Sequence, residues 1–115
     1  MIYKGGCHCG KVSFEVSGIL TEVIQCNCSI CSKRGALMWF VPKTDFRLLT
    51  PKKNYVTYTF NTHKIKHQIC PNCGCAPFED GVDAKGLETV AINTRCLDGI
   101  DLLTLNIVQF DGKIL

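Results

Sequence analysis

Long apolar runs are missing from this sequence, and no segment approaches the roughly 20 consecutive apolar residues that cross a bilayer as a helix. The N-terminal MIYKGGCHCG has no cleavage-site pattern either. Together these absences exclude a helical membrane protein and predict a cytoplasmic one. No 12-residue window shows helical periodicity, which argues against a bundle or an α/β fold. No linker, low-complexity tract or internal repeat divides the 115 residues, so a single domain over 1–115 is expected. A domain this small buries roughly two-thirds of its unfolded surface, which leaves a thin core. Charge of one sign is not in excess, at a formal +3. A His-x-Glu segment, which zinc-dependent base deamination needs, is absent, and the chain has CPNC where that chemistry uses Pro-Cys-x-x-Cys.

What the sequence has instead is alternation with a period of two. Val12, Phe14 and Val16 face one way and Ser13 and Glu15 the other, and Val56, Tyr58 and Phe60 alternate with Thr57 and Thr59. Both patterns predict half-buried strands. Further strands are expected over Ala36–Val41, Thr89–Asn93, Leu103–Phe110 and Ile65–Ile69, the last with Lys64, Lys66 and Gln68 outward. Ten glycines punctuate these segments, as in an all-β fold. One helical turn is predicted from Cys28 to Arg34, with Asn27 capping its start and Gly35 in the left-handed conformation at its end.

Nine cysteines in so short a chain are the dominant feature. They are odd in number, lack a secretion signal and fall in tight clusters, CHC, CNCSIC and CPNCGC, which favours metal binding over a disulfide framework. Cys7 and Cys9 with Cys70 and Cys73 form the ligand set of a tetrahedral structural zinc. Its sulfurs must lie about 3.8 Å apart, whereas a flat strand separates residues i and i+2 by about 6.6 Å. GGCHCG must therefore bend. His8, between two ligands, is expected to point away, and Cys75 to be a small buried residue.

Cys26, Cys28 and Cys31 remain. Three ligands with an exchangeable fourth position are the pattern of a catalytic zinc. The alternative is a second closed site with Cys96, His63 or His67 as fourth ligand; a thioredoxin-like reading of Cys28 and Cys31 lacks its βαβ context. Zinc with three thiolates carries a net −1 and is a poor Lewis acid for water, so the site suits another soft ligand, a thiol. Lys33 and Arg34 adjoin it in sequence and are candidates to neutralise a bound thiolate or the carboxylates of its owner. His63 and His67 are candidates for proton transfer.

GGCHCGKVSFEV, CNCSICSKRG, YTFNTHKIKHQICPNCG and CLDG occur in the order of the motifs of the glutathione-dependent formaldehyde-activating enzyme and centromere protein V family (GFA/CENP-V), which the chain resembles from about Gly5 to Gly99. CNCSIC and YTFNTH are most similar to the centromere protein V branch. The resemblance implies an Mss4-like, zinc-ribbon-containing antiparallel β-sheet domain with two zinc ions per chain. It assigns Cys7, Cys9, Cys70 and Cys73 to a structural zinc and Cys26, Cys28 and Cys31 to a catalytic one. It also implies a carbon–sulfur lyase activity, S-hydroxymethylglutathione synthesis, with glutathione as the thiol substrate and formaldehyde as the small-molecule aldehyde partner. Two alternatives stand beside it, a non-catalytic thiol carrier and a zinc-ribbon nucleic-acid or chromatin module. The second is disfavoured by charge, because seven bound thiolates and two zincs bring the formal +3 to zero and remove the footprint that non-specific nucleic-acid affinity requires.

Overall fold

Frequent strand-length alternation broken by glycine folds here into two sheets. In the computed structural model, which describes residues 1–114, β1 (Ile2–Gly6), β2 (Ser13–Ser17) and β5 (Phe46–Leu48) form a small antiparallel sheet with β2 in the middle. The larger sheet contains β3 (Glu22–Cys26), β4 (Met38–Pro42), β6 (Val56–Tyr58), β7 (Lys66–Ile69), β8 (Phe78–Val82), β9 (Glu88–Asn93) and β10 (Asn106–Phe110). Its order is β10-β3-β4-β9-β8-β7-β6. All pairings are antiparallel except that of β10 with β3, which is parallel and lays the C-terminal segment along the strand that ends in Cys26. Among the described residues no helix is long and apolar enough to cross a membrane.

Strand alternation gives the larger sheet two different faces. Val23, Trp39, Val41, Phe78, Val90 and Ile92 are buried on one face and pack with Val12, Phe14 and Val16 in the main core. Phe14, Phe46 and Phe78 lie with ring centroids 4.8 to 5.9 Å apart, the spacing of offset aromatic packing. Met38 and Ala91, with Ala36, form a second, smaller apolar cluster on the opposite face. That second face carries the cavity described below. Two glycines let β1 thread between its neighbours: a Cβ at Gly5 would stand 2.5 Å from the Cys96 carbonyl oxygen, and one at Gly6 would collide with the Val12 carbonyl oxygen. The bend required of GGCHCG begins there, since the Cys7 N–H turns back to donate to Val12 O at 2.9 Å.

Several local expectations are corrected by the structure. The helical turn, α1, covers only Cys31–Arg34, and Ile30 rather than Asn27 precedes it without a side-chain cap. Gly35 does close it in the left-handed conformation, at φ 66°. Val56 and Tyr58 are exposed on an edge strand that stops before Phe60. Gln68 is buried rather than outward, because Thr57 Oγ1 and Asp80 Oδ2 satisfy its amide. The last strand starts at Asn106, since Leu102–Thr104 is a 3-10 turn. Alternation did not single out β1, β3, β5 or β8; β1 and β8 contain glycine, and β5 is only three residues long.

Candidate metal centres

Four sulfurs come together where the bent N-terminal loop meets the turn after β7. Cys7, Cys9, Cys70 and Cys73 have donor atoms all within 4.8 Å of one another. Cys7 Sγ is 3.6 Å from Cys9 Sγ, which is 3.5 Å from Cys70 Sγ, close to the sulfur–sulfur edge of a tetrahedral zinc site. Gly74, left-handed at φ 81°, donates its N–H to Cys70 O at 2.9 Å and closes the CPNCG turn. Backbone donors also face the sulfurs, as Val12 N–H does toward Cys7 Sγ at 3.3 Å. The N–H groups of Cys75 and Cys9 hold the Cys73 thiol down to about 5, whereas burial pushes Cys7 up to about 11. Asn72 and the Lys11 N–H lower Cys9. Such a set, with amides aimed at sulfur, can hold a thiophilic cation.

The second group is local. Cys26 ends β3, Cys28 follows in the turn and Cys31 opens α1, with all three donors within 4.8 Å of one another. The Cys28 N–H points at Cys26 Sγ at 3.4 Å and the Cys31 N–H at Cys28 Sγ at 3.5 Å. Burial would raise the Cys28 thiol, but the N–H groups of Cys31 and Ile30 and the neighbouring thiols bring it below its ordinary value. Cys31 is raised, by burial first and then by Cys28, Cys26 and the charge of Glu79. Individual amides supply this polarisation, because a four-residue helix has little dipole of its own. Among the described residues no histidine or carboxylate joins these three sulfurs within that distance. Cys96 does not join the group: burial, and then the charges of Cys75, Cys7 and Cys73, raise it to about 11.

The three-cysteine group opens on a cavity of about 720 Å³ on the second face of the large sheet. Ile24, Met38, Phe40, Ile65, Val82 and Phe110 make its wall apolar, while His67, Glu79, Asp80 and Lys113 contribute ionisable groups. The two cations adjoining the cysteines in sequence do not face it. Lys33 is exposed and lines neither described cavity; Arg34 lines a smaller one, with its Nη1 3.2 Å from His67 Nδ1. His63 is exposed, in the left-handed region at φ 58°, with Nδ1 2.8 Å from Thr59 Oγ1.

Sequence reasoning expected a strand up to residue 110 but gave the C-terminal segment no part in the site. Asn27 Nδ2 donates to Asp111 Oδ1 at 2.8 Å, the Lys113 N–H donates to Asn27 Oδ1 at 3.1 Å, and the Asn27 N–H to Phe110 O at 3.2 Å. These bonds bring Phe110, Gly112 and Lys113 to the mouth of the cavity, and Gly112 is buried directly against Cys26. The sequence signal available was slight, a lone DG pair after an apolar run.

Fold and site thus define a mostly antiparallel, Mss4-like β protein with two clustered sets of thiols that could each hold a metal ion. A protein-family model described as glutathione-dependent formaldehyde-activating enzyme (GFA) matches residues 2–109, and the chain belongs to this family. It is also similar to a crystal structure of a Rhodobacter sphaeroides protein, at 28% identity and a TM-score of 0.78, over 91% of this chain and 99% of that one.

Proposed function

We propose that the chain joins a low-molecular-weight thiol to formaldehyde or another small carbonyl, in a carbon–sulfur lyase-type reaction that runs beside Cys26, Cys28 and Cys31. In this reading Cys7, Cys9, Cys70 and Cys73 hold a structural zinc and the three clustered cysteines hold a second. When bound there, zinc supplies a soft centre with an exchangeable position that favours a thiol in its deprotonated form. The carrying observation is that three sulfurs without a fourth donor within 4.8 Å face a cavity large enough for a small ligand. Glutathione and formaldehyde enter as substrates from the family's description. Lys113 replaces Lys33 and Arg34 as the cation available to a ligand carboxylate, since it lines the cavity and they do not. All nine cysteines are free, as suits a reducing cytoplasm.

Calorimetric titration of zinc-loaded protein with glutathione and with S-methylglutathione tests the reading. Binding of glutathione alone is expected; equal binding of both removes the thiol from the site. A thiol carrier without catalysis binds identically but leaves the rate of adduct formation at its uncatalysed value. One observation favours a variant of the substrate. Glutathione has two carboxylates, yet Lys113 is the one lysine or arginine among the described lining residues and the wall is apolar. Burying an unpaired carboxylate is costly, so a thiol with an apolar body should bind more tightly than glutathione in the same titration.

A further inference from the structure

His67 is 3% exposed, lines the cavity that holds the cysteine cluster, and has an Nε2 with no hydrogen-bond partner. A buried, unpaired ring nitrogen is uncommon and costs stability unless something else uses it. Its position follows from strand register: β6, β7 and β8 align Tyr58, His67 and Glu79 in one cross-strand row. Glu79 Oε2 lies 2.7 Å from His67 Nδ1. Two groups face this nitrogen: the Glu79 carboxylate, which accepts, and Arg34 Nη1, which can only donate, at 3.2 Å. The carboxylate contact is the shorter by 0.5 Å and assigns the ring proton to Nδ1, which leaves the lone pair on Nε2. Phe60 stacks on the imidazole with centroids 5.5 Å apart and restricts ring rotation. Nε2 is not a fourth ligand of the cysteine group, because His67 has no donor among the atoms gathered there.

We propose that His67 is the proton acceptor of this cavity, with Glu79 as the residue that sets its tautomer and orientation. The proposal rests on the thiol–carbonyl reading given above. The ligand's S–H gives its proton to Nε2 as the sulfur becomes a thiolate. The sulfur lone pair then forms the S–C bond while the carbonyl π bond opens, and Nε2 returns the proton to the new alkoxide oxygen, yielding the hemithioacetal hydroxyl. One proton moves from sulfur to oxygen, nothing is oxidised or reduced, and the reverse sequence releases thiol and aldehyde. The same geometry separates His67 from His63, whose Nδ1 is engaged by Thr59 at the surface.

Nitrogen NMR of the zinc-loaded full chain, labelled with ¹⁵N-histidine, tests this without any substitution, because the sequence has three histidines. His67 is expected as the Nδ1–H tautomer, with an Nε2 resonance that moves when glutathione saturates the protein. An Nε2–H tautomer, or an Nε2 indifferent to bound thiol, overturns the proposal. His67→Gln supplies the kinetic arm: at saturating glutathione, formation and breakdown of the formaldehyde adduct, followed by exchange NMR, should slow by roughly 10²- to 10⁴-fold. A variant that binds and reacts as the wild type does also overturns it. Failure of the wild type to bind glutathione would instead refute the proposed function, while the tautomer still reports on Glu79 and His67.

Discussion

Gly112→Ala should weaken the three-cysteine site while leaving the fold intact. The glycine is buried, and its φ lies outside the positive range, so alanine meets no backbone strain there. Its Cβ, however, would overlap Cys26 Sγ and stand 3.2 Å from Cys28 Cβ. Restoring an ordinary van der Waals separation of about 3.5 Å moves the sulfur or the C-terminal backbone by about an ångström. A free thiol at the end of a short side chain can give way by rotating. A ligating sulfur cannot, since metal–ligand distances tolerate only about 0.2 Å. Overpacking of this kind costs about 1–3 kcal/mol, which, taken from metal affinity, corresponds to a roughly 5- to 150-fold weaker second zinc. Competition with a chromophoric chelator should release one zinc per chain earlier than in the wild type, with the other retained and the melting temperature of the fold little changed. Two zincs held as tightly as in the wild type would show that residues 110–112 do not seat Cys26. Collapse of the whole fold would show that the C-terminal segment is a core element rather than a cover over the site.

The two cysteine groups should respond unequally to ligand loss. Cys9 and Cys70 are 61 residues apart, so the first group closes roughly 2 kcal/mol more chain entropy than the local second one, in addition to its metal bonds. Cys73→Ser is accordingly expected to give unfolded or insoluble protein, and Cys31→Ser a folded chain with about one zinc and no thiol binding, as read by metal content and thermal melting; equal instability of the two variants would erase the distinction. Cys96→Ser and Cys75→Ser should leave zinc content unchanged, since neither donor belongs to a gathered set; loss of one zinc in either would reassign a ligand. Cys96 keeps its proton to about 11 in the fold against an ordinary 9.0, so the unfolded chain releases that proton first. Its contribution to stability is therefore flat below pH 9 and falls between pH 9 and 11, and Cys96→Ala should remove part of that alkaline loss in denaturant titrations. Asn27→Ala deletes both side-chain bonds to residues 111 and 113, each worth about 0.5–1.5 kcal/mol at most; hydrogen exchange should quicken in β10 and not in β9.

Which cysteines gather was legible in the linear sequence because thiol chemistry and spacing are local: CHC, CNCSIC and CPNC mark candidate donors whatever the fold around them, and a six-residue stretch such as Cys26–Cys31 can gather its own sulfurs. Strand-forming segments such as Ser13–Ser17 were legible for the same reason, since a period of two is written in neighbouring residues. Partners for these local features were not. Lys33 and Arg34 adjoin the cysteines in sequence, yet neither lines the cavity, and Lys113 arrives there through a parallel strand pairing with residues more than 80 positions earlier. His67 and His63 look alike in the sequence. Only the register of β7 against β8 buries one beside Glu79 and leaves the other at the surface. Charge placement, tautomer and access to the open cysteine site are set by contacts between distant segments, whose pairing energies no short window of sequence contains, whereas the donor set itself is a property of single residues and their spacing.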